Sequence, residues 1–495
     1  MRRKILQVAA LIGIARSTLA VTGVAAQTAP SRRPIATAPR APAAPSLAER
    51  LTRLMDQEPF NRALWGVAVA DARGRVVFER NGDRLFEPAS NTKLVVAAVA
   101  TLLLPPTWRY RTSVYASGPV QGGVLRGDLV LYGRGDPTLD SAALGALADS
   151  LRARGVARVE GNLIGDASYF DVVPQHWSWE NYDLNWEDAA PVAALGYNAN
   201  VVEIRTTPGL IGQPPSLGYE PEFGLAAILN RARTVPVDSP RTLDFFRVPG
   251  TDSVRAEGTL PVDARPRGVN FAVRDGASYA AEAFRRALAG RGIAVAGMAR
   301  SAYDSMATAT ARQGAPLAEH LSPALPYILE TILEQSQNWY AEMLLKTLGR
   351  EFAGAGSWDS GVAVERRVLR DSMRVDSTMF DLVDGSGLSH HDLVAPRAFV
   401  KLLAFMRDHP RGRPFRDALP RAGREGTLRY RFRNGPAAGR VRAKTGSIGN
   451  VNTLSGYLDR ADGTTWVFSI QLNHHTALSR EAIRRIDEVV GMLAR

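Results

Sequence analysis

The chain has 495 residues, 45% of them hydrophobic and 22% charged, the composition of an ordinary globular protein of two or three domains. Its formal net charge is +12, but seven of those charges fall in residues 1–45, which hold no acid, and the remaining +5 forms no basic run interleaved with aromatics, so nucleic acid is excluded as a partner. The absence of cysteine excludes disulfides, thiolate metal sites and a thiol nucleophile together.

At the N-terminus, Met1-Arg2-Arg3-Lys4 is followed by an apolar stretch from Ile5 to Ala15 and by small residues Val24-Ala25-Ala26 before Gln27. This predicts a secretory signal peptide over 1–26, with Arg16 as an interruption, and places the mature protein in the periplasm or another extracytoplasmic space. The five prolines of the 27–45 segment, set among Ala and Arg, predict a linker. No later run of about 20 apolar residues occurs, so no transmembrane anchor is expected. Folded sequence begins near Ser46. A helix is predicted over 47–55, strands over 66–70 and 76–78 around the turn Asp71–Gly74, and a helix over 94–104 with Ser90 at its N-terminus. From Tyr110 to about Arg300 short strands such as 129–132 and 201–204 dominate, with helices expected only at 141–153 and 278–290. The chain then turns helical from Pro323 through Leu348, and again at 359–374 and 396–407. It closes with strands around 439–443, 453–459 and 464–472 and an amphipathic helix over 480–493. Elements at the two ends can share one sheet, which makes the strand-rich middle an insertion.

Three short motifs carry chemistry. Ser90-Asn91-Thr92-Lys93 opens a helix, Ser336-Gln337-Asn338 lies near the middle of the long helical region, and Lys444-Thr445-Gly446 follows a strand. Residues three apart on a helix share a face, so the Lys93 ammonium reaches the Ser90 hydroxyl. A serine becomes a nucleophile when a neighbour accepts its proton, and lysine is such a base once burial and a second cation, here Lys444, lower its pKa. Each motif alone has an ordinary reading: an N-cap, a chance tripeptide, a turn beside an edge strand. In this order and context they match the Ser-x-x-Lys, Ser-x-Asn, Lys-Thr-Gly set of serine acyl-transfer enzymes.

Lysine usage sharpens the assignment. Of 61 basic side chains only Lys4, Lys93, Lys346, Lys401 and Lys444 are lysines, and two of the five occupy the motif positions where a proton must be released, which arginine cannot do. Positive charge that merely meets solvent is expected to be arginine. No Gly-x-Ser-x-Gly, His-Glu-x-x-His or phosphate-binding loop occurs. His390-His391 and His474-His475 lack the company and spacing of metal ligands, so no metal and no organic cofactor is expected.

With these motifs, the stretches Gly135–Leu139, Ala190–Leu195, Asn198–Val202 and Asp384–Ser389 resemble a class C low-molecular-mass penicillin-binding protein, a D-alanyl-D-alanine carboxypeptidase/endopeptidase, over nearly all of residues 46–495. The 246 residues separating Ser90 from Ser336 set it apart from β-lactamases, which place the two serines much closer. The resemblance implies an α+β fold: a β-lactamase/transpeptidase-like (penicilloyl-serine transferase) domain, an antiparallel sheet flanked by helices, from residues 46–108 and 305–495. Inserted domains occupy 109–304, divided as 109–205 plus 261–304 with 206–260 nested. It further implies that Ser90 attacks the D-Ala–D-Ala carbonyl, Lys93 takes its proton, and Ser336 with Lys444 returns one to the leaving amine. Asn338, Thr445, Gly446 and Ser447 would bind substrate, with the Ser90 and Ser447 N–H groups as oxyanion hole. The implied partners are peptidoglycan stem peptides, with β-lactams as covalent inhibitors. Asp384–Ser389 is expected as a turn shaping the cleft floor. Asn450 stands where the family suggests glycine, a departure bearing on substrate preference. The alternatives are a β-lactamase or esterase on the same scaffold and an inactive envelope protein that only binds peptidoglycan.

Overall fold

A computed structural model describes Gly23 and residues 45–495. The expected signal peptide and linker, apart from Gly23 and Pro45, lie outside the described residues. The first and last parts of the folded chain build one five-stranded antiparallel sheet in the order Val76–Arg80, Leu64–Ala70, Thr465–Asn473, Val451–Asp459, Val441–Ile448. Its central strands read as almost unbroken buried runs because both faces are covered. On one face Leu51 and Leu54 of helix Leu47–Met55 and Ile486 and Val489 of helix Ser479–Leu493 pack on Trp65, Val67, Leu454 and Ile470. On the other, helix Pro396–Asp408 lies across the sheet, and Tyr457 donates a hydrogen bond to the Leu403 carbonyl (2.8 Å).

Beyond that layer sits a cluster of helices around Lys93–Leu103, whose residues 93–101 are all buried. A helix apolar on every side belongs at a centre. Around it pack Leu325–Leu333, Asn338–Ala353 and Trp358–Asp371. The long helical region expected after Pro323 is therefore two helices. The break falls at Ser336, whose φ of +67° is left-handed, and Gln337 caps the second helix by accepting the Trp339 N–H (3.0 Å). Ser336-Gln337-Asn338 thus occupies a junction, not the middle of a helix. Lys444-Thr445-Gly446 likewise lies within the edge strand Val441–Ile448 and does not follow it.

The intervening residues form a mixed five-stranded sheet, Ala299–Ala302, Leu163–Asp166, Leu129–Gly133, Arg111–Ala116 and Ala318–Leu321, with helices Ser141–Ala153 and Gly276–Ala289. Ala318–Leu321 extends this sheet past residue 304, where the insertion was expected to end. Val201–Thr207 pairs with both Ser216–Glu220 and Arg267–Ala272, and further short strands fill the residues between those two partners. Residues 167–200 contain no helix or strand, only turns, 3-10 segments and one isolated bridge from Trp186 to Phe271. They run back to the helical cluster, and this long connection carries the inserted region to the catalytic residues.

Candidate active site

Ser90 lies in a 3-10 turn, Ala89–Thr92, that precedes the helix Lys93–Leu103, so the serine is one turn outside the α-helix proper. The turn is pinned from three sides. Asn91 donates to Ser455 Oγ (2.7 Å), Thr92 donates to Asp392 (3.0 Å), and Thr453 donates to the Pro88 carbonyl (2.9 Å). Gly387 closes a fourth side: its φ is +75°, and a Cβ there would fall 1.9 Å from the Ala89 carbonyl oxygen.

Lys93 is wholly buried, and its Nζ lies 2.9 Å from Ser90 Oγ, 2.6 Å from Asn338 Oδ1 and 2.8 Å from the Ser386 carbonyl oxygen. The Asn338 amide is oriented by its own Nδ2, which donates to the Asp188 carbonyl (3.0 Å) and thereby turns Oδ1 toward the lysine. Two of the three neighbours of Nζ are carbonyls that only accept. In the neutral amine they take the two N–H bonds, leaving the lone pair aimed at the Ser90 hydroxyl. Burial pushes the Lys93 pKa down to about 8 against the pull of Asp384, Glu342, Asp188 and Asp392.

Lys444, also fully buried, donates to Ser336 Oγ and to the Thr445 carbonyl, each at 2.8 Å. Burial, and then the nearby Lys93 charge, hold its pKa well below that of a free lysine. Ser90, Ser336, Asn338, Thr445 and Ser447 line one cleft of about 400 Å³. The edge strand runs so close to the serine turn that a Cβ on Gly446 would lie 3.0 Å from the Ser90 nitrogen and 2.2 Å from Thr453 Oγ1. Every residue singled out in the three motifs is therefore gathered at one place, from segments up to 354 residues apart.

Several residues that build the site are not among those the sequence assigned a role. Asp188 and Arg431 line the cleft, Arg431 paired with Asp487, and Thr427 accepts a hydrogen bond from Thr445 (3.0 Å). Beneath Lys93 lies a buried carboxylate group. Glu342 accepts the Gly385 and Ser386 N–H groups and the Trp358 indole, and Asp384 accepts from Gly387, Ser389 and Trp179. Burial and then Asp384 raise Glu342 to about 7 and lift Asp392 well above the carboxylate range. Glu342 stands four residues after Asn338 on the same helix, so its face was readable from spacing. Asp384–Ser389 lies behind Lys93, which it meets through the Ser386 carbonyl, and does not itself line the cleft.

Asn450 takes φ +58° in the two-residue turn joining Val441–Ile448 to Val451–Asp459, a conformation asparagine tolerates nearly as well as glycine. Among the described residues no cluster of metal-ligating side chains occurs. His390 pairs with Glu87 (2.6 Å), and buried His475 lies 2.9 Å from Asn452 Oδ1, whose Nδ2 donates to Ser447 Oγ (3.1 Å). Ser336→Gly should leave thermal stability unchanged or raise it, because glycine relieves left-handed strain of about 1–3 kcal/mol. A fall in melting temperature would show that the hydroxyl's bond to Lys444 outweighs the strain.

A serine paired with a buried lysine, set between a helical layer and the edge strand of an antiparallel sheet, defines the α+β penicilloyl-serine transferase fold. The model of the D-Ala-D-Ala carboxypeptidase 3 (S13) family matches residues 47–493, and the chain belongs to that family, the class C low-molecular-mass penicillin-binding proteins. It is a serine-type D-Ala-D-Ala carboxypeptidase. Among curated relatives it is 34% identical over 451 residues to the D-alanyl-D-alanine carboxypeptidase of Actinomadura sp. (strain R39), spanning 88% of this chain and 83% of that one. It is 26% identical over 412 residues to D-alanyl-D-alanine carboxypeptidase DacB of Haemophilus influenzae, 82% and 84% of the two chains. The crystal structure of penicillin binding protein 4 (dacB) from Haemophilus influenzae superposes with a TM-score of 0.82 at 24% identity, over 90% of this chain and 99% of that one.

Proposed function

We propose that the mature chain works outside the cytoplasm on peptidoglycan stem peptides, removing a terminal D-alanine through an acyl-enzyme on Ser90. The observation that carries this reading is the set of partners around Lys93 Nζ, which directs a free amine at Ser90 Oγ. Lys93 accepts the hydroxyl proton as Ser90 Oγ bonds to the D-Ala–D-Ala carbonyl carbon. The oxyanion is met by the N–H groups of Ser90 and Ser447, a role supported by the close approach of the edge strand at Gly446. Ser336, hydrogen-bonded to Lys444, delivers a proton to the leaving amine as the C–N bond breaks. Thr445 and Ser447 hold the departing residue's carboxylate, and Asn338 serves both Lys93 and the substrate amide. Water then attacks the ester, returning Ser90 and releasing the shortened peptide. A β-lactam follows the same first step and stays attached; penicillin binding protein 4 of Haemophilus influenzae has been solved complexed with a β-lactam. In this reading residues 109–304, together with strand Ala318–Leu321, act as accessory domains beside the catalytic one, with 206–260 nested, and no helix of the described residues is long and apolar enough to cross a membrane.

The test is release of D-alanine from a stem pentapeptide, together with mass mapping of a penicillin adduct. Adduct on the peptide holding Ser90, persisting for minutes, is the expected result. An adduct that turns over within seconds would favour a β-lactamase, and neither adduct nor D-alanine would favour an inactive binding protein. The pH dependence has a fixed sign. With Lys93 at about 8, only about a tenth is free base at pH 7. Acylation should rise about ninefold from pH 6 to 7 and about fivefold from pH 7 to 8, and level off above that. A rate that is flat or falling over that range would remove Lys93 as the base.

A further inference from the structure

A further cavity, of about 440 Å³, lies in the inserted region and is lined in part by the segment that borders the catalytic cleft. Asp188 faces the cleft, while Asn181 and Asn185, a few residues earlier, face this cavity. Its charged lining is entirely cationic: Arg247, Arg255 and Arg274 contribute, beside the amides of Gln175, Asn181 and Asn185, and no carboxylate lines it.

Two of the arginines have acidic partners set back from the lining. Arg274 pairs with Asp252 (2.9 Å) and Arg255 with Glu257 (2.5 Å). Arg247 has none within 4 Å among the described residues. Its guanidinium lies over the Phe271 ring at 5.0 Å, one Nη donates to the Ala272 carbonyl, and the other is buried without a hydrogen-bond partner. Burial lowers its pKa, Asp252 opposes this, and Arg274 adds repulsion. An unpaired, partly desolvated guanidinium is costly to keep unless something anionic meets it. Its backbone N–H is fixed by Asn185 Oδ1 (3.1 Å), so the cation is tied to the segment that also supplies Asp188.

We infer that this cavity is an oxyanion site that takes a carboxylate of a peptidoglycan strand lying beside the stem peptide in the cleft. The exposed Arg274 pairs with Asp252 through Nε and leaves its Nη groups for a carboxylate, Arg247 adds an uncompensated positive charge beside them, and the surrounding amides suit the peptide bonds that flank such a group. The inference rests on peptidoglycan being the substrate. It adds a second foothold, so that the enzyme holds the polymer and not only the peptide end.

The experiment uses the full mature chain and purified sacculi freed of phosphate polymers by acid. Arg247→Gln and, separately, the exposed Arg274→Gln are compared with the parent protein for sacculus binding at several salt concentrations and for D-alanine release from a soluble pentapeptide. Binding to sacculi should fall by about fivefold or more in each variant, with pentapeptide turnover unchanged and melting temperature retained. Sacculi whose carboxylates have been amidated should bind the parent no better than untreated sacculi bind the variants. Arg274→Gln keeps the test alive where Arg247→Gln perturbs folding. Undiminished binding in Arg274→Gln and a folded Arg247→Gln would overturn the site. Binding that disappears only when phosphate polymer is stripped would overturn the carboxylate and make the ligand a phosphate. Absence of D-alanine release from the parent would instead count against the substrate reading.

Discussion

Lys93→Arg lowers the second-order rate of acylation by a fluorescent penicillin about 10²–10⁴-fold, the usual range for loss of a general base. The replacement keeps the positive charge opposite Asp384 and Glu342, so the electrostatic balance beneath the site is preserved. It cannot release a proton, and it therefore has no lone pair to turn toward Ser90. The bulkier guanidinium must also fit among Ser90 Oγ, Asn338 Oδ1 and the Ser386 carbonyl, so melting temperature is measured alongside. A folded variant within about threefold of the parent rate would move the base elsewhere, with Lys444 next in line.

Gly387→Ala is the second large effect. The residue sits at φ +75°, and a Cβ would meet the Ala89 carbonyl oxygen at 1.9 Å, its carbon at 2.5 Å and Thr92 Oγ1 at 2.8 Å. Two of these atoms are backbone, so no side-chain rotation relieves the contact. Ala89 is itself left-handed at φ +47°, which leaves the serine turn little room to move. Left-handed strain plus overpacking should cost about 2–4 kcal/mol of stability. Displacing the Ser90 turn by about 1 Å should cost a further 10²-fold in acylation. Thermal unfolding and penicillin labelling read the two losses separately. An unchanged melting temperature and rate would mean that the turn yields freely.

Much of the site was legible because its chemistry is spaced locally. Ser90 and Lys93 are three residues apart, Ser336 and Asn338 two, and Lys444 to Ser447 run consecutively along one strand. The break at Ser336 was not legible: Glu334-Gln335-Ser336-Gln337 holds neither glycine nor proline, and a polar run reads equally well as the exposed face of a helix. Strand Ala318–Leu321 was missed because four residues have too little periodicity to register, and it is fixed by pairing with Arg111–Ala116. Asp188 and Trp179 reach the site through contacts 150 and 205 residues away in sequence, which no local pattern records.

Lysine is not confined to the catalytic motifs. Lys93 and Lys444 are buried as the motifs require, while Lys401 is exposed, so solvent-facing charge is not always arginine. Lys346 is buried for a different reason: it lies 3.6 Å above the Trp358 ring and donates to Asp171 and to the Val173 carbonyl, each at 2.7 Å. Burial before all else brings it down to about 8, a reminder that a depressed lysine is not by itself a base.

The long connection over residues 167–200 limits how this architecture can be shortened. Asp171 satisfies Lys346, Trp179 satisfies Asp384, Asp188 orients Asn338, and the Pro191 carbonyl accepts the Trp339 indole (3.0 Å). Each contact crosses from the middle of the gene to its last third. A minimal enzyme cut back to the two flanking segments would bare four buried polar groups at once, so ancestry or engineering that trims the middle must rebuild the floor of the site in the same step.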